Sequence, residues 1–182
     1  TTFYFSKWKI FLELISNKKK LFVLFISGLL IFINWTVWIY AVSKDKIIDA
    51  SFGYFIMPIL SVFLGILFLK EKYNKQKILS VTLVIISIIY LLFNYSSVPW
   101  VGLIVGITWS SYSFLRKKIN VETDIGLLIE SLFILPIAII IFYMIAAKGY
   151  NDFSLSNPLM MLIIFLAGPM TVIPLFLYVR GV

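Results

Sequence analysis

The sequence predicts an all-α integral membrane protein, a bundle of transmembrane helices, from its composition and from six long apolar stretches. Of its 182 residues, 62% are hydrophobic and 13% are charged, whereas a soluble domain carries about 25% charged residues. The apolar residues extend along the whole chain, so they cannot all lie in one buried core and many must face lipid. Composition therefore excludes a water-soluble globular protein.

A helix crosses a bilayer with about 17–25 apolar residues. Five of the stretches have this length, and the remaining one, Ile78 to Phe93, needs its flanking Lys77 and Asn94 to reach the interfaces. Helices are expected because hydrocarbon offers the backbone no hydrogen-bond partner outside the helix itself. The predicted spans are Leu21 to Ser43, Ala50 to Leu69, Ile78 to Phe93, Pro99 to Leu115, Gly126 to Ala147 and Leu159 to Val179.

Residues 1–20 are interpreted as the end of a preceding helix, Phe3 to Phe5, followed by a cytoplasmic basic loop. Within it, apolar residues recur at three- and four-residue intervals, which is typical of a short helix lying in the membrane interface: Trp8, Phe11, Leu12 and Ile15. An ordinary cytoplasmic loop is the alternative. Because the chain starts at Thr1 and ends just after an apolar stretch, we expect it to be an internal piece of a longer protein.

The distribution of Lys and Arg predicts the orientation, since short cytoplasmic loops hold the excess of these residues. Of the 16 Lys and Arg, only Lys44, Lys46 and Lys148 lie on one side of the predicted spans. The other side is therefore cytoplasmic, and the first span leaves the cytoplasm while the sixth returns to it. Since the basic residues serve as topological anchors between apolar stretches, we do not expect nucleic-acid binding.

The absence of Cys and His excludes disulfides, thiolate nucleophiles, imidazole metal and haem sites, and every His-based catalytic triad. The sequence also has no Walker-type glycine loop to bind ATP. We expect no cofactor and no metal.

Glu130 is the only acid inside a predicted span, about 9 Å along its helix from Asp124 at 1.5 Å per residue. Polar groups in a span either serve function or pack helices together. Glu130 could couple transport to protons or another ion, or bind a basic substrate. Alternatively, Glu130 has a structural role, and its charge is stabilised by the helix dipole and by an ion pair with Arg116, Lys117 or Lys118.

Asn34 lies about two-thirds of the way across the first span, followed by Trp38 and Tyr40. An amide beside aromatic rings could bind a small solute. Alternatively, Asn34 bonds a neighbouring helix, while Trp38 and Tyr40 belong to the aromatic belt of the periplasmic interface. We favour the belt for Tyr40 and leave both interpretations open for Asn34 and Trp38.

The fourth span carries Gly102, Gly106 and Ser110 at four-residue intervals, so its small side chains share one face and predict a close approach of a second helix. The polar run from Trp109 to Ser113, which contains Tyr112, should face the bundle interior or line the cytoplasmic half of a pathway.

Prolines lie inside three spans, where each removes one backbone hydrogen bond and should kink its helix. Such breaks expose carbonyls that bind solutes in transporters. They are Pro58, Pro136, and Pro169 with Pro174.

The second span has a mid-helix proline, Pro58, then Gly65 about two turns later and Glu71 just after the helix. This arrangement resembles the EamA domain of the drug/metabolite transporter superfamily. Further residues are similar to its RarD branch: Asn34-Trp35, Ala41-Val42, Gly53-Tyr54-Phe55, Pro99-Trp100, Leu115 to Lys118, Glu130 with Leu135-Pro136, and Ala167-Gly168-Pro169. The resemblance covers nearly the whole chain.

The resemblance implies a ten-helix inverted-repeat permease or exporter with both termini cytoplasmic, of which six helices are present here. Residues 21–95 would be the later three helices of the first repeat, and 96–182 the first three of the second. It also implies drug, amino-acid or metabolite transport, with chloramphenicol associated with the RarD branch.

We therefore expect a secondary transporter of a small organic metabolite or drug in the bacterial inner (plasma) membrane, alternating access without nucleotide hydrolysis. Protons or another coupling ion, the lipid bilayer and a second copy in a homodimer are the expected partners. The expected pathway residues are Asn34, Trp38, Tyr54, Trp109, Tyr112 and Glu130, with helix breaks at Pro58, Pro136 and Pro169. The alternatives are a non-transporting membrane subunit or scaffold and, third, an integral membrane enzyme, which would need clustered carboxylates, His or Cys.

Overall fold

The computed structural model describes residues 2–70, 74–94, 98–149 and 157–181. Within these ranges the chain is all-helical, with seven helices and no strand: α1 (Thr2–Ser16), α2 (Lys18–Ser43), α3 (Ile47–Leu69), α4 (Lys75–Asn94), α5 (Trp100–Ile119), α6 (Thr123–Ala147) and α7 (Pro158–Gly181). Each of the six predicted spans is a helix. Four of them, α2, α3, α6 and α7, are long and apolar enough to cross a membrane by length and composition.

Three helices begin before their predicted apolar stretches, because an asparagine caps each of them. The helices α2 and α4 begin three residues earlier than predicted, and α7 begins one residue earlier. The side-chain oxygens of Asn17, Asn74 and Asn157 accept the backbone N–H three residues on, at 3.1, 2.8 and 3.2 Å. Such a bond satisfies one of the free N–H groups of a first helical turn. Capping, and not hydropathy, therefore sets where α2, α4 and α7 begin.

The N-terminal residues form one continuous helix, α1. The structure is helical at Phe3 to Phe5, and the same helix continues to Ser16. Their assignment to the end of a preceding membrane helix stays a prediction. The interpretation of residues 8–15 as a helix is confirmed over that of a loop. Trp8, Leu12 and Ile15 are exposed along one side of α1, while Leu14 is buried.

The chain divides into two compact units. One comprises Thr1–Phe25 and Val121–Val182, and the other comprises Ile26–Asn120. In the first unit, α6 contacts both α1 and α7, and the ring of Phe25 meets that of Phe133 edge-on at 5.4 Å. In the second unit, α3 packs along α5 and also contacts α4.

The helix α2 buries residues at intervals of three, four, three and seven residues, namely Leu24, Ser27, Ile31, Asn34 and Ala41. This period places them on one stripe of the helix. Most of α7 is exposed, since it buries only Leu175 and Val179 among its described residues. An exposed apolar helix of this kind suits a lipid or protein environment and not water.

Candidate functional site

The centre of the second unit is the contact between α3 and α5, where glycines bring the two backbones together. A Cβ added at Gly53 would lie 2.8 Å from the carbonyl oxygen of Gly102, and one added at Gly106 would lie 3.1 Å from the carbonyl oxygen of Gly53. Any larger side chain would push the helices apart. The predicted close approach of a second helix at Gly102 and Gly106 is confirmed, and α3 is that helix.

Two polar contacts fix α5 against α3 at different heights. The carboxylate of Asp49, in the first turn of α3, accepts a hydrogen bond from the backbone N–H of Gly102 at 3.3 Å. Farther along, the hydroxyl of Ser110 donates to the carbonyl of Met57 at 3.1 Å. The third small residue of the predicted stripe thus also contacts α3, directly before Pro58.

Asn34 joins α2 to α5. Its side-chain amide donates to the carbonyl oxygen of Val105 and to the hydroxyl of Thr108, both at 2.9 Å, and the residue is 4% exposed. The interhelical bond predicted as one of two roles for Asn34 is present. Both amide hydrogens are used in these two bonds.

An aromatic pair lies one helical turn from Asn34, between α2 and α3. Trp38, one turn after Asn34 on α2, meets Tyr54 of α3 edge-on with ring centroids 5.6 Å apart. It also packs on the buried cluster of Ala41, Ala50 and Val101. Tyr40 is 47% exposed, as a residue of an aromatic belt would be.

A second aromatic pair lies within α5, where the rings of Trp109 and Tyr112 are 6.1 Å apart. Tyr112 is completely buried. The structure therefore brings five of the six predicted pathway residues into one unit, arranged around the contacts of α2, α3 and α5.

The helix α5 also buries polar residues that the sequence did not single out for a pathway. Thr108 and Arg116 are 7% and 5% exposed and lie four residues to either side of Tyr112, so the three share one face. Ser113, which belongs to the polar run that the sequence did single out, is also buried. The signal was present in the four-residue spacing, but Arg116 was interpreted as a topological anchor or a partner of Glu130, and Thr108 lies just before the polar run.

Glu130 lies in the other unit, in the second turn of α6, and is 2% exposed beside the buried Ile129. A carboxyl so deeply buried must be protonated or held by hydrogen bonds or cations. Both interpretations of Glu130, ion coupling and structural pairing, stay predictions.

The predicted prolines lie inside their helices, Pro58 in α3, Pro136 in α6, and Pro169 with Pro174 in α7. A proline leaves the carbonyl four residues earlier without its helical N–H donor. For Pro58 this carbonyl belongs to Tyr54, a predicted pathway residue. The kinks themselves stay predictions.

An ionic contact that the sequence did not predict joins α1 to the start of α6. The ammonium of Lys7 contacts the carboxylate of Glu122 and lies 2.9 Å from that of Asp124. Hydrogen bonds to Glu122 and Asp124 raise the pKa of Lys7 above its ordinary value of 10.5. Lys7 was interpreted only as a cytoplasmic anchor, since contacts across 115 residues leave no local pattern.

Taken together, the α2–α3–α5 contact offers an amide oxygen, hydroxyls and aromatic faces. Groups of these kinds line binding sites for small solutes that have both apolar and hydrogen-bonding parts. Among the residues that the structure describes, no three acidic side chains lie together in a way that could hold a metal ion.

Comparison with known proteins finds a match of residues 1–93 to the EamA-like transporter family. The chain is 37% identical over 182 residues to the uncharacterized transporter YojE of Bacillus subtilis, covering 98% of the chain and 60% of YojE. It is 34% identical over 173 residues to protein RarD of Escherichia coli, covering 94% of the chain and 58% of that protein.

A more distant relative is the chloramphenicol-sensitive protein RarD of Pseudomonas aeruginosa, 25% identical over 118 residues, which are 65% of the chain and 40% of that protein. The chain spans about three-fifths of the length of YojE and of the Escherichia coli RarD. No solved structure matches it.

Proposed function

Because the chain belongs to the EamA-like transporter family and is RarD-like, we propose that it forms part of a secondary transporter in the bacterial inner membrane. The transported solute is a small organic metabolite or drug. Transport proceeds by alternating access, in which one helical repeat moves against the other, and it requires no ATP. The activity is proposed for the complete transporter.

The proposed architecture is a ten-helix bundle of two inverted repeats, to which α2 to α7 contribute six spans. Residues 21–95 belong to the first repeat and 96–182 to the second, after a cytoplasmic segment of residues 1–20. In this architecture α4 and α5 also cross the membrane, together with α2, α3, α6 and α7. A homodimer is its proposed assembly.

The observation that supports a solute pathway is the buried polar stripe along α2 and α5. Buried polar groups are costly in an apolar bundle, and in membrane proteins they mark substrate or ion pathways. Asn34 and Thr108 lie at one height of the stripe, and Tyr112 and Arg116 follow at one-turn intervals along α5. We assign the solute route to the face of α2 and α5 that carries these residues, beside the Trp38–Tyr54 pair.

A transport assay tests this proposal. Everted inner-membrane vesicles from cells that make the complete transporter are supplied with a proton gradient, without ATP, and offered chloramphenicol and a panel of amino acids. We expect accumulation of at least one solute above vesicles that lack the transporter, and its loss on adding a protonophore. Accumulation equal to that of control vesicles for every solute, or a requirement for ATP, would contradict the proposal.

Glu130 is proposed as the proton-coupling residue. Replacing it by glutamine removes the ionisable group and keeps the shape, so we expect Glu130→Gln to lose uphill accumulation while solute exchange across the membrane continues. Glu13→Gln, on the exposed side of α1, is the matched control and should accumulate solute normally. Uphill accumulation by Glu130→Gln at the control rate would reduce Glu130 to a structural residue.

A non-transporting scaffold is the alternative function. It would have the same helices but would need no water-filled route along α2 and α5. Accessibility of these helices to polar reagents therefore distinguishes the two.

A further inference from the structure

A groove runs along the contact of α3 with α4, within the second unit. It contains a cavity of about 280 Å³ lined by Pro58, Ile59 and Val62 of α3 and by residues from Asn74 to Val84 at the beginning of α4. A second cavity of about 270 Å³ continues past Ile59 to Ile88 and Pro99. Both cavities are lined by Ile59, so they lie next to each other along α3 and α4.

The lining of the groove changes from polar to apolar along α4. At the beginning of the helix the groove is lined by the exposed residues Asn74, Gln76, Lys77 and Ser80. One turn later the lining consists of Val81 and Val84, which are half-buried, and then of Ile88. A ligand that fits this groove has a polar head and an apolar tail.

The polar end is also basic. Residues 74–77 include two lysines, Lys75 and Lys77, and no acidic residue, and the lysine distribution predicts that this end of α4 lies at the cytoplasmic surface. The inner leaflet carries anionic lipids, which attract basic residues beside membrane helices. The charge of this end therefore matches a negatively charged headgroup.

The length of the groove matches one leaflet. From Lys77 to Ile88 an α-helix rises about 16 Å at 1.5 Å per residue, and the hydrocarbon core of a bilayer is about 30 Å thick, so one leaflet is about 15 Å. An acyl chain whose headgroup lies at Lys77 would thus reach Ile88 near the middle of the membrane. An inorganic phosphate would leave the apolar part of the groove empty.

We propose that the α3–α4 groove binds an anionic phospholipid of the cytoplasmic leaflet, with its phosphate at Lys77 and one acyl chain along Val81, Val84 and Ile88. This binding does not depend on which solute is transported.

Native mass spectrometry of the detergent-purified protein tests the proposal with added phosphatidylglycerol or zwitterionic phosphatidylethanolamine. We expect one phosphatidylglycerol to remain bound in preference to phosphatidylethanolamine. Lys77→Gln should weaken phosphatidylglycerol binding about fivefold, since one lysine near an anionic surface contributes about that factor. Lys19→Gln, the same charge change at another exposed site on the same side of the membrane, is the control and should bind as the wild type does.

The apolar part of the groove is tested by filling it with a larger side chain. Val84→Trp places a large ring in the groove and should abolish retention of the lipid, whereas Ile85→Trp, on the neighbouring exposed position outside the groove, should retain it. Equal binding of both lipids, equal effects of Lys77→Gln and Lys19→Gln, or retention by Val84→Trp at the level of Ile85→Trp would overturn the proposal. Displacement of the lipid by millimolar inorganic phosphate would also overturn it, because the site would then recognise phosphate alone.

Discussion

Replacing Gly102 by alanine tests how closely α3 and α5 pack. The added Cβ would clash with the carbonyl oxygen of Asp49 and would lie 2.8 Å from the Cβ of Phe52 and 3.0 Å from the backbone nitrogen of Gly53. Two of these three atoms belong to the backbone, so no side-chain rotation relieves the overlap and the helices must separate.

The cost follows from this geometry. Overpacking of a well-packed core costs about 1–3 kcal/mol, and backbone contacts favour the upper half of that range. Alanine regains up to about 1 kcal/mol of helix propensity relative to glycine. We therefore expect Gly102→Ala to lower the free energy of unfolding by about 1–2 kcal/mol.

A series of glycine variants provides the controls. Gly106→Ala should cost less than Gly102→Ala, because its nearest contacts are 3.1 and 3.2 Å away. Gly168→Ala, in α7, meets no atom within 4 Å and should be neutral or slightly stabilising. Stability is measured as reversible unfolding in SDS, followed by far-ultraviolet circular dichroism. A Gly102→Ala protein as stable as Gly168→Ala would refute the close packing of α3 on α5.

Two further predictions concern single polar contacts. Asn34→Leu removes two interhelical hydrogen bonds, which are worth about 0.6 kcal/mol each in membrane proteins and at most about 1.7, so SDS unfolding should show a loss of about 1–2 kcal/mol. Thr36→Val, at an exposed position on the same helix, should lose almost nothing, and equal stability of the two variants would count against the bond. Lys7→Gln should speed amide hydrogen exchange of α1 relative to Lys9→Gln. Because pairing with carboxylates raises the pKa of Lys7, its stabilisation is complete from neutral pH up to 10.5 and is lost as the pH rises through that raised pKa. Equal exchange in both variants at neutral pH would show that the contact does not stabilise α1.

Much of the fold follows from local sequence patterns. Apolar length predicted all six helices after α1, and the four-residue spacing of Gly102, Gly106 and Ser110 predicted a close helix contact. These features depend on residues within one helix, so the sequence displays them directly. Helix starts were less accurate, because the caps at Asn17 and Asn74 lie outside the apolar stretches.

The partners of the polar residues could not be predicted in the same way. Asn34 was open to two roles, since nothing in its own helix shows that Val105 and Thr108 lie opposite its amide. The contact of Lys7 with Glu122 likewise depends on how two distant helices pack. Pairing across such separations follows from the tertiary arrangement, which the hydropathy pattern does not specify.

Cysteine accessibility is the most direct test of a water-lined solute route along α2 and α5. The chain contains no cysteine, so each engineered cysteine is the only thiol within it. Single cysteines are placed at Asn34, Trp38 and Trp109. Exposed Ser43 is the positive control, and Ile86, exposed on α4 and proposed to face lipid, is the negative control.

A membrane-impermeant methanethiosulfonate reagent is applied to intact cells and to everted vesicles that contain the complete transporter. We expect Trp38→Cys and Trp109→Cys to react, Asn34→Cys to react where the variant folds, and Ile86→Cys to stay unreacted. If Trp38→Cys and Trp109→Cys are as unreactive as Ile86→Cys while Ser43→Cys reacts, no aqueous route passes along these helices. The non-transporting scaffold would then be the better-supported function.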